Sequence, residues 1–91
     1  MITIVVHEHG QPFQVYEVSK DDIVEWKTVK GIRRGRVLIA TESDAAGKRS
    51  RPIIAQLIDG DNKPCGNNFG LGRFSICAVY DPKGQRKKPM K

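Results

Sequence analysis

A chain of 91 residues with 38% hydrophobic content makes one domain with one small core, since a domain of this size buries only about 60–68% of the surface its unfolded chain exposes. No apolar run approaches the roughly 18 residues of a membrane span, and the opening Met1 to Glu8 lacks the basic region and cleavage site of a secretory leader. These features lead us to expect a soluble, cytoplasmic protein with no membrane partner.

Sixteen Lys and Arg against ten Asp and Glu give a formal net charge of +6, and the excess is unevenly placed. Residues 26–51 carry eight bases and two acids, and residues 83–91 carry five bases and no acid, whereas residues 1–25 carry one base and five acids. Segregation of this kind is the footprint of a surface for a polyanion or an acidic partner. The two cysteines, Cys65 and Cys77, lack C-x-x-C spacing and read as reduced thiols, with Cys77 a small filler of a buried strand. His7 and His9 share one face of a strand, but no third histidine exists, so we expect no metal and no cofactor.

Taken in chain order, period-2 patterning dominates. Ile2, Ile4 and Val6 fall on one face of a first strand, Gly10-Gln-Pro12 breaks the run, and Phe13–Val18 returns as the second arm of a hairpin. Residues 19–31 carry both helical and extended signals. Ser19 as N-cap, Asp21 and Asp22 in a first turn and Gly31 after the end favour a helix. The β-branched Ile23, Val24, Thr28 and Val29 favour a strand with Val24 and Trp26 on its inward face, which is the reading we adopt. Gly35–Thr41 and Pro52–Ile58 are two further apolar, branched runs, separated by a polar loop. Asp59-Gly-Asp-Asn62 marks a turn, and residues 63–72, with three glycines, a proline and two asparagines, read as a long loop into a last strand over Arg73–Tyr80. Pro82 ends that strand, and residues 83–91 read as a disordered basic tail.

The expected fold is therefore mostly β: a small antiparallel barrel of five to six strands, preceded by a hairpin over one domain of residues 1–82. Asp22-Ile-Val-Glu-Trp26, Lys30-Gly31 and Arg33-Arg-Gly35-Arg-Val37 resemble the opening of an SH3-like barrel of the Tudor or KOW kind. In that pattern an acidic residue opens a first strand written V-x-W, a tight turn follows, and G-x-V opens the second strand. The resemblance spans residues 22–39. It implies a fold and carries over no binding residues.

Two sets of residues are candidates for a site. Lys27, Lys30, Arg33, Arg34 and Arg36, continued by Lys48, Arg49 and Arg51, would contact phosphates of DNA or RNA without sequence preference. Phe69, flanked by glycines, would stack on a base, and Arg73 would add a charge. No catalytic constellation is legible, so a binding module is expected and not an enzyme. The competing reading is a protein-interaction or homo-oligomerising module whose basic face meets an acidic protein.

Overall fold

A computed structural model of the chain describes residues 2–6, 12–40, 52–72 and 75–90. Seven strands appear in two antiparallel sheets, with no helix among the described residues: β1 (Ile2–Val6), β2 (Gln14–Val18), β3 (Ile23–Thr28), β4 (Gly31–Ala40), β5 (Ile53–Ile58), β6 (Pro64–Leu71) and β7 (Ile76–Tyr80). None of these residues lies in a helix able to cross a membrane.

β1 and β2 form the expected hairpin, pairing Ile2 with Val18 and Val6 with Gln14. The remaining strands form a five-stranded sheet in the order β6-β5-β4-β3-β7. β3 to β6 thus run as a meander, and the last strand returns beside the first. The segment with mixed signals is a strand, as its branched residues require: Val24 pairs with Gly35 and Val79, and Trp26 with Arg33 and Ile76. Val24 and Trp26 are buried, together with Val37, Ile53, Ala55, Leu71 and Val79 of the sheet and Ile2, Ile4, Val6, Tyr16 and Val18 of the hairpin, in one shared core. Each fully buried aliphatic side chain contributes about 1.5–3 kcal/mol.

The sheet cannot be flat. Leu71, opposite Ile53, ends one edge strand, and Ile76, opposite Trp26, begins the other. In a flat sheet these residues would be separated by four strand spacings, about 19 Å, and by roughly 20 Å along the strands. Five residue steps span at most about 18 Å. The sheet therefore coils, with irregular pairing at Glu25/Trp26, Val37/Ile39 and Gln56/Ile58, because an extra residue in one strand increases local bend and twist.

Two stretches differ from the sequence reading. The long loop expected over residues 63–72 contains β6, an edge strand hydrogen-bonded to β5. Glycines and asparagines hide it because it is exposed on both faces for most of its length, so only Phe69 and Leu71 carry an inward alternation. The described part of the segment expected to be a disordered basic tail lies along the fold. The amide of Asp81 donates to the Gln85 carbonyl, Arg86 bridges to Tyr80, the Lys87 amide donates to Val79 O and the Met90 amide to Val15 O. Lys87 Nζ donates to the Glu17 carbonyl at 2.7 Å and to Asp22 Oδ2 at 2.8 Å. Asp22 is the one buried charged residue among those described, and it also accepts the Ser19 amide at 2.8 Å. The segment thus ties β7 to β2 and neutralises a buried carboxylate, neither of which leaves a periodic pattern in sequence.

Trp26 is 4% exposed, so Trp26→Ala is expected to cost about 3–5 kcal/mol in denaturant unfolding, most of the stability of a small domain. Lys87→Ala leaves the Asp22 carboxylate without its cation and is expected to lower stability by about 2 kcal/mol. Replacing Lys88, exposed and with no side-chain hydrogen bond or ion pair among the described residues, by Ala is expected to change it by less than about 0.5 kcal/mol.

Candidate nucleic-acid interface

The basic residues of the β3–β4 hairpin separate into two groups by what their side chains touch. Arg34, opposite Glu25 in the ladder, donates from Nε to Glu25 Oε2 at 3.2 Å and from a terminal nitrogen to Asn62 Oδ1 at 3.1 Å. Its guanidinium lies 4.7 Å from the centroid of the Tyr80 ring, and the Tyr80 hydroxyl donates to the other Glu25 oxygen at 3.2 Å. Arg36, two residues on and on the same face, donates to the Asp21 carbonyl at 3.0 Å. Both arginines are half-buried and hold β3, β4, β7 and the adjoining turns together. Asn62 lies 28 positions from Arg34, and Tyr80 lies 55 from Glu25, which is why the sequence conceals the network.

Lys27, Lys30 and Arg33 have no such partners. Lys27 and Lys30 are exposed and Arg33 is half-buried, and among the described residues no hydrogen bond or ion pair engages their side chains. They cluster where the hairpin outruns β5, which ends at Ile58, and β7, which begins opposite Trp26, so that among the described residues the pairs Lys27–Ile32 and Thr28–Gly31 have no third strand beside them. The turn at this end is built locally. Thr28 Oγ1 accepts the Lys30 amide at 3.1 Å and donates to the Gly31 carbonyl at 2.9 Å. Gly31 takes φ 121°, which a residue with a Cβ rarely adopts, and so returns the chain into β4. Val29 at the apex is fully exposed and Ile32 is 60% exposed.

The neighbouring β5–β6 turn is acidic. Asp59 Oδ1 accepts the amides of Asp61 and Lys63 at 2.9 and 3.0 Å, and with Glu25, Arg33 and Arg34 it lines an open depression beside the hairpin. Its mixed charge makes it a poor seat for phosphate.

The other candidates fall elsewhere. Phe69 lies in β6, half-buried against the core, its ring centroid 5.7 Å from that of Trp26, so it serves packing and is not presented for base stacking. Lys48, Arg49, Arg51 and Arg73, and the histidine pair His7 and His9, lie outside the described residues. Cys65 and Cys77 are thiols, and Cys77 is half-buried, with Sγ 3.4 Å from the Glu25 carbonyl oxygen. Among the described residues no three His, Cys, Asp or Glu side chains lie close enough to share a metal ion. Comparison with protein families, with curated proteins and with solved structures finds no significant match.

The two groups of cations predict different responses. Arg34→Ala is expected to lower unfolding free energy by about 1 kcal/mol, since it leaves Glu25 and Asn62 partly unsatisfied at a site still reached by water. Lys30→Ala is expected to leave it within about 0.5 kcal/mol of the parent.

Proposed function

We propose that residues 22–80 form an SH3-like barrel preceded by a hairpin, and that this cytoplasmic module binds nucleic acid through phosphate contacts with little sequence preference. The fold reading is supported by the return of β7 beside β3, by the coiling of the sheet, and by the direct pairing of Val24 with Gly35 that joins the V-x-W and G-x-V elements. The observation that carries the function is the set of unpartnered cations, Lys27, Lys30 and Arg33, at the free end of the β3–β4 hairpin. Cations already committed to carboxylates have little to offer a phosphate; these three release counterions on contact and lose no internal bond.

A second reading, an interaction or oligomerising module, rests on β6. Its eight residues include no charge, and its outer edge has no strand partner among the described residues. Uncharged open edges of this length are templates for another strand.

Fluorescence anisotropy with a labelled 30-mer separates the two. Nucleic-acid binding predicts micromolar affinity at best near physiological salt, and a loss of about 2–3 units from the slope of log K against log salt when Lys27, Lys30 and Arg33 are replaced together by Ala. Failure to bind DNA or RNA at about 50 mM salt, accompanied by a concentration-dependent dimer in light scattering, turns the assignment to the β6 edge.

A further inference from the structure

Resting on the nucleic-acid reading, we propose that the ligand is B-form duplex DNA, entered through its major groove by the end of the β3–β4 hairpin. Among the described residues the hairpin end is a two-stranded ribbon that runs past β5, which stops at Ile58, and β7, which starts opposite Trp26; its Val29 apex is fully exposed, and Ile32 and Arg33 border an open depression shared with Asp59 and Gly60. Two strands about 4.8 Å apart with their side chains make a ribbon about 10 Å wide, and three residue rises from Trp26 to Val29 make it about 10 Å long. B-DNA offers a major groove about 12 Å wide and 8.5 Å deep, which takes such a ribbon; its minor groove, about 6 Å wide, does not. The narrow major groove of A-form RNA is closed to it.

The side chains agree with that seat. Val29 at the apex is fully exposed and Ile32 is 60% exposed, both flanked by unpartnered cations. In a major groove the aliphatic groups meet thymine methyls on the groove floor, while Lys27, Lys30 and Arg33 reach phosphates along its walls. A single strand offers no groove, and the ribbon end carries no aromatic ring on which its bases would stack. The Thr28 hydroxyl bonds and Gly31 fix the turn before binding, so little ordering is needed on contact.

Anisotropy titrations of the full chain test this with a 20-base-pair AT-rich DNA duplex, the RNA duplex of equivalent sequence, the single strands, and vesicles of anionic phospholipid. The expected order places the DNA duplex about tenfold above the RNA duplex and the single strands. Replacing thymine by deoxyuridine, which removes only the methyl, is expected to weaken binding about threefold. Val29→Ser with Ile32→Ser is expected to weaken it about five- to tenfold, with an unchanged circular dichroism spectrum because neither residue is buried. Equal affinity for RNA duplex or single strands, a double variant that binds DNA like the parent, or binding to vesicles in preference to DNA overturns the duplex assignment while phosphate binding by the same cations stands. Absence of binding to every nucleic acid overturns both.

Discussion

The structure turns on one contact, the ring of Trp26 laid over Gly35. An added Cβ at Gly35 would sit 2.9 Å from the ring and 3.0 Å from the Gln56 carbonyl oxygen, closer than atoms pack. The residue opposite Val24 must therefore be glycine for the indole to cross β4. Reaching across, Trp26 meets Phe69, which belongs to β6 and is paired with Ala55 of β5. Three strand spacings in a flat sheet would hold those strands about 14 Å apart. Two large rings at the rim and two small residues, Gly35 and Ala55, on the central strands fill a concave surface, and the same packing that closes the core bends the sheet around it.

That curvature determines what the hairpin β1–β2 can do. Its inward residues Ile2, Ile4, Val6, Tyr16 and Val18 find their cover within the bend, and the C-terminal segment ties the two sheets through backbone bonds from Lys87 and Met90 and the Lys87–Asp22 ion pair. A buried ion pair adds little net stability against an apolar substitute, but it punishes the loss of one partner. Its effect here is to fix where the segment lies, giving a definite place to a stretch whose composition offers no apolar anchor.

Alternation in β1, β2, β3 and β5 was legible because one face of each meets the core, and the branched residues of 23–29 outweighed good helix-capping signals once Val24 and Trp26 were placed inward. β6 was not legible, since an edge strand exposed on both sides needs no hydrophobic period and borrows its geometry from β5. The basic cluster was legible as a set of charges and illegible as a site. Sequence brings Arg33, Arg34 and Arg36 side by side, whereas alternation and long-range partners divide them, Arg34 turning to Glu25, Asn62 and Tyr80 and Arg33 remaining without a partner. The turn that offers Lys30 and Val29 to solvent is set by a hydroxyl and a glycine, Thr28 and Gly31, that no charge count notices.

The bond from Lys87 to Glu17 joins positions 70 apart in the chain, and this has a consequence for biosynthesis. As the chain leaves the ribosome, the N-terminal hairpin emerges long before β7 and the segment that ties it down. Isolated two-stranded hairpins are marginal in water, so its apolar face lacks its cover until the meander has coiled and residues 81–90 have emerged. Contacts of such separation place folding among the slower regimes for small domains, in milliseconds to seconds. The uncharged edge of β6, which pairs only with β5 among the described residues, is of the kind that offers its unpaired backbone groups to another strand.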